Sequence, residues 1–298
     1  MPAALQESLI IPTRDLCPVT ADLYMNGQSE SVCIICHGFK GHSKWGFLPY
    51  VAGKLAQAGV ASLAIDFSHN GAVAGRGLPD IQVRNKSLTP HMDSELFHRN
   101  TLSREVSDLG CVIEFVMNGG LDDFFTEAPS IGLFGHSRGG ISAILNAVEF
   151  DNIGAISTWS TPVHPDVFTY EQKQKWRAQG ALEFSDSRTG TQLSVGISYL
   201  DDLEANRRRF DMKKAVGMLK PPHLIVHGSG DVPIPADSAV QLFRLEKHLT
   251  NRRLLLVKSG HTFGINDNRK QAGRGSSAGS ERNRRVVCAL FKPKREIT

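Results

Sequence analysis

The sequence predicts an α/β protein built on a mostly parallel sheet with helices on both faces. Three observations carry this. Strand-length apolar runs alternate with helical patterns along the chain, which is the order that sets successive strands parallel. The runs are nearly continuous in apolar residues, as strands covered on both faces are. The chain has 298 residues, 41% of them hydrophobic, enough to bury the core of one large α/β domain or two small ones.

Element by element, ESLIIP and TADLY come first and close together, and predict an antiparallel start. SVCIICHG follows as a buried strand. Its Cys33 and Cys36 are three apart, so strand alternation points the thiols to opposite faces and reads them as core residues, not a metal knuckle. PYVAGKLAQAG is helical, with Val51, Leu55 and Ala58 on one face. VASLAIDF is a strand. REVSDLGCVIEFVMNGG is a long amphipathic helix, with Val106, Leu109, Ile113 and Val116 in register and glycines at its end. SIGLFG is a strand, Ser137 to about Glu149 a helix, and IGAISTW, PHLIVHG and NRRLLLVKSG are later strands.

One region breaks this rhythm. About sixty residues separate Trp159 from His223, far more than a crossover needs. TYEQKQKWRAQ and ISYLDDLEANRRRF read as helices, and ALEFSDSRTGTQLSVG as a hairpin turning at 187–190. The expected organisation is a core of residues 1–160, an inserted cap of 161–212, and a second core part of 213–298 that includes a Gly/Ser/Arg-rich loop at 266–280. Val286, Val287, Leu290 and Phe291 predict a short final helix. Aromatic residues concentrate in the insertion and at its start, so Trp159, Phe168, Tyr170 and Trp176 are candidate substrate-binding residues. The competing reading is that they fill a small core of the insertion's own.

A formal net charge of +4 points to neither nucleic acid nor a membrane surface as partner. The segment from Asn266 onward carries nine Lys/Arg against three acids and reads as a solvated basic tail. No stretch approaches the roughly 20 apolar residues of a membrane span. The N-terminus lacks the basic start and apolar run of a signal peptide. With five cysteines, an odd number, a cytoplasmic chain with reduced thiols is expected.

The chemistry centres on Ser137. In SIGLFGHSRGG a strand runs into Gly-His-Ser-Arg-Gly at the start of a helix, the context of a nucleophile elbow. A serine hydroxyl is a weak nucleophile and needs a base. His261, in LLLVKSGHTFG, follows a late strand and suits that role. The imidazole needs a carboxylate to hold its tautomer. Asp231, in PHLIVHGSGDVPIP, is the candidate, with Asp237 and Asp202 as lower-ranked rivals because one falls in a helix and the other in the insertion. The oxyanion donors are expected to be the backbone N–H groups of Arg138, next after the nucleophile, and of Phe39 in the loop CIICHGFKG. His37 and His136 are expected to bond backbone and not to carry protons; Asp66 and His69 follow another strand and are expected to line the cleft.

Together HGFKG, DFSHNG, GHSRGG, HGSGD and GHTFG resemble the α/β-hydrolase superfamily, over about residues 5–265. Within it the chain resembles bacterial dienelactone-hydrolase-like esterases and the feruloyl (cinnamoyl) esterases. The resemblance implies an eight-stranded sheet, a capped site and serine-dependent hydrolysis of carboxylic esters. True dienelactone hydrolases use a cysteine where Ser137 stands. The polar segment after Gly264 departs from the family pattern. The expected function is a serine esterase acting on a small-molecule ester, with no metal and no organic cofactor. A peptidase or amidase of the same fold, and a non-catalytic binding protein on it, are the alternatives. Acyl and alcohol specificity and oligomeric state are left open.

Overall fold

The computed structural model describes residues 4–15, 17–73, 91–185 and 192–264. The predicted hairpin tip at 187–190, the loop at 266–280 and the final helix lie outside them.

Eight strands form one sheet: β1 (Ala4–Ile11), β2 (Val19–Met25), β3 (Ser31–Cys36), β4 (Ala61–Asp66), β7 (Ser130–His136), β8 (Ile153–Trp159), β11 (His223–Gly228) and β12 (Arg252–Val257). Their order across the sheet is β1-β2-β4-β3-β7-β8-β11-β12. The first two strands are antiparallel, β2 is antiparallel to β4, and the rest run parallel. The parallel strands therefore open their carboxyl ends along one edge, where ligand groups gather in open α/β sheets. Two short strands, β5 (Ala72–Val73) and β6 (His91–Met92), form a separate antiparallel pair.

Strand alternation divides the core in two. Ile34, Leu63, Ile65, Leu133 and Ile225 enter the larger cluster, while their neighbours Ile35, Ala64, Phe134 and Val226 enter the smaller one. Cys36 lies in the first cluster and Cys33 packs against the second, so the thiols do face opposite ways. Helix α1 (Leu48–Gln57) covers the smaller cluster through Leu48, Val51 and Ala52. On the other face lie α3 (Leu102–Met117) and α4 (Arg138–Glu149), which follow the short helix α2 (Ser94–His98). Thr101 caps α3 by accepting the Arg104 N–H at 3.2 Å, and Val106, Leu109, Ile113 and Val116 are its buried stripe.

Between β8 and α7 (Met212–Met218) the chain leaves the sheet. It forms α5 (Tyr170–Gln179), the antiparallel pair β9 (Ala181–Ser185) and β10 (Gln192–Gly196), and α6 (Ile197–Ala205). A capping box between Thr169 and Gln172 starts α5, and Gly180 at φ 73° ends it. Trp176, Leu182, Leu193, Val195, Tyr199 and Leu203 join the larger cluster, so the insertion shares the core instead of closing one of its own. Helix α8 (Asp237–Leu245) follows β11.

Candidate active site

Four loops meet at the carboxyl edge of β3, β7, β11 and β12. Ser137 stands between β7 and α4 at φ 53° and ψ −122°, a left-handed conformation that a non-glycine residue adopts only under constraint. Its N–H donates to the Trp159 carbonyl at 2.8 Å. Glycines make the turn possible by close approach. A Cβ on Gly139 would lie 2.3 Å from the His37 carbonyl oxygen, and one on Gly38 2.9 Å from Cβ of Ser137. The β3 loop and the start of α4 are therefore in direct contact.

The Ser137 hydroxyl donates to Nε2 of His261 at 3.1 Å, and His261 Nδ1–H donates to Oδ2 of Asp231 at 2.9 Å. A carboxylate only accepts, so Nδ1 carries the proton and Nε2 is left as the acceptor facing Ser137. Asp231 is buried. Burial pushes its carboxyl up, but N–H groups of His227, His261 and Ile234 outweigh it and hold the group well below the usual carboxylate range. The Ile234 N–H reaches Oδ1 at 2.9 Å. His227 Nε2 lies 2.8 Å from the Ile234 carbonyl and 3.3 Å from Oδ2 of Asp231. Both partners accept, so Nε2 carries the proton, and the second histidine braces the same carboxylate oxygen that His261 meets.

The rival acids are engaged elsewhere. Asp202 accepts from the Ser103 hydroxyl and, at 2.9 Å, from its N–H; Asp237 opens α8 and accepts from Gln241 at 2.7 Å. His136 Nε2–H donates to the His261 carbonyl at 3.0 Å, with Trp45 stacked on its ring at 5.5 Å. Burial lowers the His136 pKa to about 3 and the His37 pKa to about 4, so both are neutral. His37 Nδ1–H donates to the Gly38 carbonyl at 2.8 Å, and its Nε2 accepts from Asn70 at 3.0 Å. Both histidines thus bond backbone.

The N–H groups of Phe39 and Arg138 enter no hydrogen bond among the described residues, and the Arg138 N–H opens a helix, where such donors are unpaired. Asp66 holds the Phe39 loop from behind. Its carboxylate accepts the Ser43 N–H at 2.6 Å and the Ser43 hydroxyl at 3.0 Å, and burial raises its pKa against these bonds. Asp66 and His69 are buried, and the His69 ring meets Ser68 Oγ at 2.8 Å.

The four candidate aromatic residues differ in their settings. Trp159 is enclosed with Phe47, Phe134 and Phe263 in the smaller core cluster, because the side chain at the end of β8 points to the α1 face. Trp176 is sealed between Phe168 at 5.0 Å and Tyr199 at 5.9 Å. Tyr170, at the first position of α5, is 76% exposed. Only Phe168 is half-buried, and its ring meets Trp176 and Tyr199 edge-on. The insertion reaches the Ser137 loops through two other rings. Phe184 packs on Phe39 at 5.0 Å, and Tyr199 lies 5.2 Å from the Arg138 guanidinium.

His227, Asn70 and Glu105 are not among the residues the sequence singles out. The first carries a signal: a histidine four residues before the acid, next to the end of a strand. The other two act across distant chain positions. Among the described residues, no group of three or more His, Cys, Asp or Glu is arranged to hold a metal ion, and no helix is long and apolar enough to cross a membrane.

No family model matches the chain, and no curated protein matches it in sequence. Solved structures do match. Est1E from Butyrivibrio proteoclasticus, also solved with ferulic acid bound, is 22% identical over 95% of this chain and 96% of its own, with a TM-score of 0.60. The esterase domain of a Rhodothermus marinus protein is 18% identical over 93% and 98%, with a TM-score of 0.56. The Pyrococcus furiosus esterase Pf2001 is 18% identical over 97% and 90%, with a TM-score of 0.57. The strand order, the insertion after β8 and these likenesses make the fold of this chain the α/β-hydrolase fold.

Proposed function

We propose that the protein is a serine hydrolase that cleaves carboxylic esters of small molecules. The observation that carries the reading is the hydrogen-bonded line from Ser137 through His261 to Asp231. His261 Nε2 takes the Ser137 proton as the oxygen attacks the ester carbonyl. The imidazolium formed is stabilised by Asp231, which keeps its charge. The carbonyl oxygen gains negative charge at the N–H groups of Phe39 and Arg138, next to the positive end of α4. Collapse of the tetrahedral species breaks the ester C–O bond, and the His261 proton leaves with the alcohol. Water then attacks the acyl-enzyme with His261 again as base, and Ser137 is regenerated. No step needs a metal or an organic cofactor.

The insertion of residues 161–212 acts as the cap of this site through Phe184 and Tyr199. Est1E has been solved with ferulic acid bound, which supports aryl-acyl esters as the first substrates to assay. The cysteines among the described residues, Cys17, Cys33, Cys36 and Cys111, are all free, in keeping with a cytoplasmic protein.

A fluorophosphonate probe tests the reading. The wild type is expected to be labelled on Ser137 and to hydrolyse p-nitrophenyl esters. Ser137→Ala is expected to lose the label and on the order of 10⁵-fold in kcat while keeping its Tm. Label retained on the Ala variant, or a tenth of the wild-type rate, would place the nucleophile elsewhere.

A further inference from the structure

Arg138 is a buried cation. Its side chain is 10% exposed and pairs through Nη2 with Oε1 of Glu105, itself 2% exposed. Glu105 comes from α3 and also accepts from Asn100 at 2.8 Å. Burying such a pair is costly unless its geometry and hydrogen bonds are complete. Here they are not: Arg138 Nε and Glu105 Oε2 are buried without hydrogen-bond partners. Two apolar side chains of similar volume would serve the core at least as well.

What the pair does supply is contact. The guanidinium lies over the Phe39 ring, 4.5 Å from its centroid, and 5.2 Å from the Tyr199 ring. Phe39 is held in turn by Phe97 at 5.4 Å and Phe184 at 5.0 Å. One residue therefore carries a proposed oxyanion N–H at its backbone and grips, with its side chain, the residue that carries the other. A planar guanidinium stacks on an aromatic face in a way an ammonium or an aliphatic chain does not.

We propose that the Arg138–Glu105 ion pair is the positioning device of the oxyanion site: Glu105 pins the guanidinium, the guanidinium holds the Phe39 ring, and the spacing of the Phe39 and Arg138 N–H groups follows. Tyr199 ties the insertion to the same guanidinium. The inference rests on Ser137 being the nucleophile and on those two N–H groups being the oxyanion donors. Both residues of the pair act through others; neither side chain touches the reacting atoms.

The test compares the wild type, the double variant Arg138→Met with Glu105→Leu, and Glu105→Gln. The double variant removes both charges together, so no buried charge is orphaned. Glu105→Gln keeps an oxygen that accepts from Arg138 but weakens the pin. Each is titrated with the fluorophosphonate, and kcat per labelled site, KM, Tm and the inhibition constant of a phenylboronic acid are measured. The expected result for the double variant is a kcat at least 10-fold lower, a KM within twofold of wild type, and boronate binding weakened in step with kcat. A structural role alone would lower Tm and the labelled fraction but leave kcat per site intact. Unchanged kcat, or a loss confined to KM, overturns the proposal. If the double variant does not fold, Glu105→Gln decides: a threefold or larger loss of kcat at constant KM supports the device, and an unchanged kcat overturns it. A wild type that is neither labelled nor active on esters removes the underlying reading, and this inference with it; a labelled, active wild type with unaffected variants removes the inference alone.

Discussion

Asp231 is where single-residue chemistry is most sharply defined. Its carboxylate receives three N–H groups, two of them from histidines on different strands' ends. The consequence is a charged, oriented acceptor that forces the proton of His261 onto Nδ1. Asp231→Asn presents an amide N–H where the carboxylate accepted, which favours the wrong imidazole tautomer. The expected loss in kcat is roughly 10⁴-fold at neutral pH. Asp202→Asn and Asp237→Asn, whose carboxylates bond Ser103 and Gln241, are expected to stay within about threefold of wild type. Parallel steady-state assays check the ranking, and the reverse order would move the acid to another residue. The three side chains were legible in the sequence because each follows a strand by a few residues and carries its own local signature. Glu105 was not, because nothing near position 105 announces a partner at position 138. Burial of a charge becomes visible only when two helices meet.

At the scale of elements, the sheet and the crossing helices could be read from periodicity, which is a local property. The insertion could be read as helix, hairpin and helix for the same reason. Its function could not, because periodicity says which residues point inward, not what they meet there. Trp176, the one buried residue of the polar helix α5, enters the shared core, while Phe184 on β9 is the ring that reaches the Phe39 loop. Lys40 also stands over Phe184 at 5.6 Å, so this contact joins the insertion to the proposed oxyanion loop. The prediction for acyl specificity therefore belongs to Phe184. If the hairpin lines the acyl space, kcat/KM should rise from acetyl to butyryl or aryl-acyl esters. Each covered methylene is worth about 0.8 kcal/mol, or roughly fourfold. Phe184→Ala should flatten that slope while changing the acetyl rate least, and Tyr170→Ala should leave it alone. A chain-length series on p-nitrophenyl esters decides; a wild-type slope in Phe184→Ala would assign the hairpin a purely structural part.

The whole molecule buries several titratable groups, and they pull stability in opposite directions as pH changes. His37 and His136 are held neutral, with pKa values lowered by burial from 6.5 to about 4 and about 3. Between pH 6.5 and 4 the unfolded chain takes up protons that the folded chain refuses, so acidification weakens the fold. For His37 alone the full effect is on the order of 3 kcal/mol. Asp108 works the other way. Burial raises its pKa to about 7 against the pull of the Ser68 N–H, which it accepts at 2.8 Å. Here the folded chain binds the extra proton, so this group's contribution is present at low pH and is lost as pH rises toward 7. Asp231, held low, adds stability above the ordinary carboxylate range that disappears only in stronger acid. The signs separate in variants. His37→Gln cannot be protonated and should lose less stability than wild type between pH 7 and 5, by about 2 kcal/mol. Asp108→Asn still accepts the Ser68 N–H through its amide oxygen but gains nothing on acidification, so it should lose more than wild type over the same interval. Urea unfolding midpoints at pH 7 and 5 on the three proteins measure both differences. Equal pH dependence in all three would mean that water reaches the two side chains in the folded protein, and that burial does not hold His37 and Asp108 in their neutral forms.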